Sequence, residues 1–151
     1  MNLDITAEAT IARPRHDVAA YVTDNRNDPI WIGGISRSEL EGEPPIRVGS
    51  RVRRVASFLG KSIEYVNEVE RLEPGVLLDM RSVKGPFPMQ VTYAFADTDS
   101  GATLAKIRVQ GDPGTLYTLA GPLMRRQVHR SISRDLRTLK SIMESQSSAV
   151  R

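Results

Sequence analysis

The stretch KSIEYVNEVERLEPGVLLDMRSV, residues 61–83, holds two runs of extended character around a Glu73-Pro74-Gly75 turn. In the first run Ile63, Tyr65, Asn67 and Val69 share one face by alternation, and in the second Leu78, Met80 and Ser82 do the same;. Pro74 and Gly75 suit a chain reversal, so the two runs read as hairpin neighbours. Working outward, the same signals predict strands at 35–41, 50–59, 61–72, 76–83, 89–96 and 102–110. Turn-forming residues at 42–45, Gly60, 73–75, 85–86 and 97–101 separate them;. Six strands in succession with short connections indicate one antiparallel meander and disfavour a parallel βαβ architecture.

The flanks have different periods. Leu3, Ile5, Ala7, Ala9 and Ile11 alternate with Asp4, Thr6, Glu8 and Thr10, which predicts a half-buried strand at 3–11;. Pro14 suits a helix start, and Val18, Tyr21 and Val22 follow at helical spacing, so a short helix is expected over 14–23;. Residues 24–29 are turn formers, and Ile30, Trp31 and Ile32 run into Gly33-Gly34, where a second short helix or tight turn fits;. In the last third Leu116, Leu119, Leu123, Val128, Ile132, Leu136, Leu139 and Met143 recur at intervals of three to five, the signature of a long amphipathic helix;. Asp112 is the expected N-cap and Pro113 the first helical residue. A kink or restart is expected at Gly121-Pro122, because Pro122 cannot donate to the Thr118 carbonyl. The reading is one domain, residues 1–144, with a polar tail at 145–151 that frays.

Composition narrows the chemistry. With no cysteine among 151 residues, disulfides and thiolate chemistry are excluded;. No apolar run approaches the ~20 residues of a membrane-spanning helix. A net charge of +3 is a mild excess that does not imply nucleic acid;. The first ten residues lack a basic start and an apolar centre, so no signal peptide is expected and the expected compartment is cytoplasmic;. Two histidines, His16 and His129, cannot build a zinc set, and both are expected to face water;. Asp24, Arg26 and Asp28 imitate the opening of a calcium loop, but Arg26 and Pro29 break the pattern, leaving a turn and helix cap;. Residues 97–101 suit a hairpin loop. No phosphate-binding glycine motif occurs, so neither metal nor cofactor is expected. Ser131 and Asp135 share a helix face, whereas His129 points about 160° away from Ser131, so no catalytic triad forms.

The order of elements, together with Ile11-Ala12-Arg13-Pro14, residues 18–24, Pro29-Ile30-Trp31, Val48-Gly49-Ser50, Phe58-Leu59-Gly60, Glu73-Pro74-Gly75, Gly85-Pro86-Phe87 and Gly101-Ala102-Thr103, resembles the SRPBCC superfamily. These are the START-like and birch-pollen-allergen-like helix-grip proteins, and the likeness is to the polyketide cyclase/dehydrase-like branch. It spans almost the whole chain; each motif is turn or packing chemistry, and their order carries the resemblance. It implies an α+β helix-grip fold, with an antiparallel sheet of about seven strands wrapped around the C-terminal helix and two short helices after the first strand. It also implies an apolar cavity between sheet and helix for a lipid, polyketide or other small hydrophobic ligand, and no single reaction.

A cavity that orients a ligand needs a few polar groups among apolar ones. Tyr65, Asn67 and Tyr93 are candidates, Met80 is a candidate wall residue, and Trp31 by resemblance lies near the pocket mouth. On the helix, Leu119 and Leu123, with Leu116, Met124 and Val128, form the stripe expected to close the cavity, with Gln127 beside it. Core packing is the competing reading for each of these residues. Strand 50–59 is ambiguous: either Val52, Arg54, Ala56 and Phe58 point inward, making Arg54 an anion anchor, or Arg51, Arg53, Val55, Ser57 and Leu59 do. The basic cluster Arg125, Arg126, Arg130, Arg134, Arg137 and Lys140 reads as a solvated helix face or a docking face;. Three functions follow: binding a small hydrophobic molecule in the cavity, cyclase/dehydrase chemistry in the same pocket, or docking through the basic helix. A homodimer is the one self-assembly entertained, and no nucleic-acid partner is expected.

Overall fold

Strand β1 (Leu3–Ile11) is followed by α1 (Arg15–Thr23), a 3-10 turn (Asn25–Asn27) and α2 (Asp28–Trp31). Then come β2 (Ile35–Glu41), β3 (Arg51–Phe58), β4 (Lys61–Glu73), β5 (Leu77–Lys84), β6 (Met89–Asp97), β7 (Thr103–Gly111) and the long helix α3 (Thr115–Ala149). The computed structural model describes residues 3–58 and 60–149, with the side chains of residues 58, 115–120 and 147–149 outside that description.

The seven strands form one antiparallel sheet in the order β1-β7-β6-β5-β4-β3-β2. Strands β2 to β7 are the expected meander, and β1 joins its far edge by pairing with β7 from Leu3 opposite Gly111 to Ile11 opposite Thr103. Strands β1 and β2 therefore lie at opposite edges, and residues 12–34 carry the chain between them. That crossing buries Val18, Ala19, Val22 and Trp31, so the two short helices become part of the core.

Alternation decides the two faces of the sheet. The outer face carries cross-strand ion pairs: Arg51 with Glu68 at 3.1 Å, Arg53 between Glu41 at 3.0 Å and Glu64 at 2.6 Å, Arg81 with Glu70 at 2.7 Å, and Arg108 with Asp4 at 2.8 Å. Each is solvated and contributes little stability, but together they favour one register. The inner face carries the core, with Leu3, Ile5 and Ile11 of β1, Leu78 and Met80 of β5, Tyr93 and Phe95 of β6, and Ala105 and Ile107 of β7. Helix α3 lies along β1 and buries Met124, Val128, Ile132, Leu136, Leu139 and Met143 against that face.

Three expectations about α3 are corrected. The helix begins at Thr115 rather than Pro113, because residues 112–114 form a turn in which Gly114 has φ +64° and donates its N–H to Asp112 Oδ1 at 3.4 Å. Of the kink or restart expected at Gly121-Pro122, the restart is overturned, because one helix of 35 residues passes through Pro122. A proline removes one main-chain bond, about 3 kcal/mol at most sites, and the long apolar stripe downstream offsets that loss. It also continues to Ala149 instead of ending at residue 144. Its later turns are fastened to the β1–α1 corner. Arg13 Nη1 donates to the Met143 carbonyl at 2.8 Å, the Ala12 N–H donates to Glu144 Oε2 at 2.9 Å, and Lys140 Nζ donates to the Thr10 carbonyl at 2.7 Å.

Candidate functional site

Helix α2 is a single turn, and residues three apart on a helix share a face. Asp28 and Trp31 consequently both point inward, while Ile30 between them is 60% exposed. Trp31 packs edge-on against Tyr93 of β6, with ring centroids 5.8 Å apart and planes at 68°;. On β3 the outward pairing of Arg51 and Arg53 with glutamates sends Val52 and Arg54 inward.

Arg54 meets Asp28 there. Its Nε donates to Asp28 Oδ2 at 3.1 Å, and its Nη2 lies 3.0 Å from the same oxygen. Ser38 Oγ on β2 donates to that oxygen at 2.7 Å, and Arg54 Nη1 donates to the Tyr93 hydroxyl at 3.3 Å. The two charged side chains are only 4% and 2% exposed. Burial opposes a charge on Arg54, but the Asp28 carboxylate and the oxygens of Tyr93 and Tyr65 hold its pKa well above the ordinary range;. Burial pushes the Tyr93 hydroxyl up to about 12 although Arg54 pulls it the other way. Tyr93 therefore keeps its proton at neutral pH, with a lone pair engaged by Arg54 and the O–H left to donate.

These groups border a cavity of about 170 Å³ between the inner face of the sheet and α3. Much of its wall is apolar, including Leu3, Ile63, Val91, Ile107, Val128 and Ile132. Trp31, Arg54, Tyr65, Asn67 and Tyr93 also line it. Gly85 packs closely on Tyr65, where a Cβ would sit 3.0 Å from the tyrosine Cβ. Two buried donors on this wall have no hydrogen-bond partner among the described residues, Trp31 Nε1 and Asn67 Nδ2.

On the opposite wall Ser131 and Asp135 of α3 border the cavity. Asp135 Oδ1 accepts the Gly33 N–H at 2.9 Å and so ties the α2–β2 connection to the helix. Desolvation raises its pKa, against the opposing influence of the Gly33 N–H and Arg134. A separate, larger groove of about 810 Å³ opens between α1, the 3-10 turn and the β2–β3 connection, and Ala20, Leu40, Pro45, Ile46 and Leu72 line it. Ser38 borders that groove and Arg54 the inner cavity, and Asp28 holds both.

Of the residues singled out in the sequence, Trp31, Tyr65, Asn67 and Tyr93 come together on the cavity wall. Met80 shares their face of the sheet but is fully buried in the core cluster and does not border the cavity. Leu123 is 63% exposed and Gln127 is exposed as well, so both expectations are corrected. The inward stripe runs through Met124 and Val128, one residue on and about 100° around the helix;. The Leu119 side chain lies outside the described residues. Both histidines are exposed. Asp24 caps the 3-10 turn by accepting the Arg26 N–H at 3.1 Å, whereas Asp28, read as part of the same turn, is the counterion of Arg54. The basic cluster divides: Lys140 is engaged by Glu144 and the Thr10 carbonyl, Arg134 lies near Asp135, and Arg125, Arg126, Arg130 and Arg137 line an open groove beside β1.

Two outcomes follow for stability. Arg54→Met leaves Asp28 buried without its cation and should cost ~3–5 kcal/mol, whereas adding Asp28→Asn should recover much of it. Chemical denaturation of the double-mutant cycle should return a coupling energy above ~1 kcal/mol, and independent effects would contradict the pairing. For Asp135 the folded state holds a proton more tightly than the unfolded chain, for which the reference pKa is 3.8. The native state thus binds more protons above that value, and the stability supplied by the protonated form is lost as pH rises through the raised pKa. Asp135→Asn, which still accepts the Gly33 N–H, should gain in Tm relative to the parent as pH is raised from about 3.5 to about 7; a constant difference would exclude this linkage.

The residues matched by the family model "Polyketide cyclase / dehydrase and lipid transport" are 2–144. A search of curated proteins returns no match. Among solved structures, a protein of Thermus thermophilus superimposes with a TM-score of 0.82 at 18% identity, covering 95% of this chain and 99% of its own. The Zhui aromatase/cyclase of a Streptomyces species superimposes with a TM-score of 0.80 at 15% identity, over 95% and 94% of the two chains. A START superfamily protein of Mycobacterium smegmatis gives 0.78 at 13% identity, over 95% and 98%. At these identities the likeness is one of fold. The sheet order, the gripped helix and a family match over residues 2–144 agree, and the chain belongs to the polyketide cyclase/dehydrase and lipid transport family, a branch of the SRPBCC superfamily with the helix-grip fold.

Proposed function

We propose that this chain binds one small, largely apolar molecule in the cavity between the sheet and α3. The observation that carries this reading is the wall itself, apolar over most of its surface, with Trp31, Arg54, Asn67 and Tyr93 supplying the polar groups;. A volume of about 170 Å³ is close to that of engineered apolar cavities of about 150 Å³ that take up benzene;. The outer groove is the poorer candidate, because polar groups on its wall are engaged with neighbours: Asp24 with Arg26, and Asn25 with the Ser38 carbonyl.

Toluene tests the reading. At saturation it should raise the Tm of the parent protein, because a ligand that binds only the folded state stabilises it. Ala56→Phe, which places a ring in the cavity from β3, should remain folded and show no such rise. Equal behaviour of the two proteins would exclude the cavity as the site.

A catalytic reading is favoured by one further observation. A hydroxyl that stays protonated, Tyr93, and a carboxyl with a raised pKa, Asp135, border the same cavity. In an aldol-type cyclisation Asp135 would take a proton from carbon, that carbon would bond to a second carbonyl carbon, and Tyr93 would donate to the oxygen that becomes a hydroxyl; in dehydration a neighbouring C–H proton and that hydroxyl would leave together as water, with Asp135 relaying the proton. Turnover of a short linear β-triketone, followed by mass spectrometry of the cyclised product, should then fall roughly 10²-fold or more in Tyr93→Phe and in Asp135→Asn. Unchanged product formation in both variants would leave binding as the function.

A further inference from the structure

We infer that the cavity selects a compact, electrically neutral molecule carrying a carbonyl-type oxygen, which accepts hydrogen bonds from Trp31 Nε1 and Asn67 Nδ2. The inference rests on the cavity being a binding site and adds the chemical class of its ligand. Its starting point is that both nitrogens belong to side chains almost removed from solvent, 1% and 2% exposed, and neither has a partner among the described residues. Buried donors are almost always satisfied, so a partner from outside the chain is called for, either an ordered water or an atom of the ligand.

The wall fixes the sense of that partner. Trp31 and Asn67 offer N–H groups, and Tyr93 offers an O–H because Arg54 already donates to its oxygen. The two unpartnered nitrogens can only donate, so the atom that satisfies them is an acceptor;. The charges on the wall bear on whether that acceptor is ionised. Arg54 is matched by Asp28 at 3.0 Å, and the remaining charged group on the wall is the carboxyl of Asp135. An anion would therefore lose its hydration without gaining an unmatched cation, and would face Asp135 besides. A neutral carbonyl loses far less water and satisfies the same donors. The volume, about 170 Å³, sets the size at one ring or a short chain;.

Acetophenone, α-methylstyrene and benzoate separate these requirements, since the first two share a shape and differ by oxygen against methylene, and the third carries a charge. The chain has a single tryptophan, so one indole N–H resonance reports on Trp31 without ambiguity. Titrations of 15N-labelled parent protein should show acetophenone binding at least ~10-fold more tightly than α-methylstyrene, with benzoate weakest. Acetophenone should move the indole proton downfield, and α-methylstyrene should not. Asn67→Leu should reduce acetophenone to the level of α-methylstyrene while α-methylstyrene still binds, which also certifies that the variant is folded. Should the variant fail to fold, the pair of titrations on the parent protein and the indole shift decide alone. Equal affinities with an unmoved indole resonance would overturn the assignment of an acceptor yet leave apolar binding intact. Preference for benzoate would overturn the neutral class. Failure of all three to bind would remove the binding reading together with this inference.

Discussion

The buried pair of Arg54 and Asp28 is the contact on which the site depends. It joins β3, near one edge of the sheet, to α2, the last element of the crossing that starts from the other edge. Ser38 on β2 donates to the same carboxylate oxygen, and Tyr93 on β6 takes a further arm of the guanidinium. One ion pair thus holds together a helix and three strands of the sheet. A buried ion pair contributes little net stability compared with a well-packed apolar substitute. Its value here is geometric: it sets the depth of α2, so that Trp31, one turn after Asp28, meets Tyr93 at the cavity wall.

The polar groups of the cavity divide into those that are spoken for and those that are not. Asp28, Arg54 and Ser38 satisfy one another; Trp31 Nε1 and Asn67 Nδ2 do not find partners among the described residues. The engaged groups form a firm scaffold, and the two unpartnered donors belong to side chains that line the same cavity. Asp135 has a different place. It reaches across from α3 to the Gly33 N–H, so the same carboxyl that borders the cavity also anchors the connection between α2 and β2.

Part of the site is legible in the residue pattern alone. Tyr65 and Asn67 on β4 and Tyr93 on β6 stand at alternate positions with apolar neighbours, and alternation puts them on the inner face. The side of Arg54 is left open by the pattern and decided by the pairing: β3 and β4 pair from Arg51 opposite Glu68 to Phe58 opposite Lys61, so Arg54 stands opposite Tyr65 and shares its face. Its carboxylate partner is not within reach, because Asp28 sits in a run of turn formers where an aspartate ordinarily caps a helix. The helix phase is also out of reach. Leu119, Leu123, Met124 and Val128 fit more than one apolar stripe at three-to-four spacing, and a single residue separates the stripe that contains Leu123 from the one that contains Met124.

By itself the amino-acid sequence determined the strands, their meander, the inward set of residues on β4 and β6, and the long closing helix. Each of these follows from periodicity and turn chemistry acting over a few neighbouring residues. Only the tertiary structure decided that Asp28 neutralises Arg54, that Met124 rather than Leu123 faces the sheet, that Asp135 holds Gly33, and that two buried donors have no partner among the described residues. Those are meetings of residues far apart in the chain, and they are settled by how the sheet, its crossing helices and α3 pack together, a matter on which local pattern has no bearing.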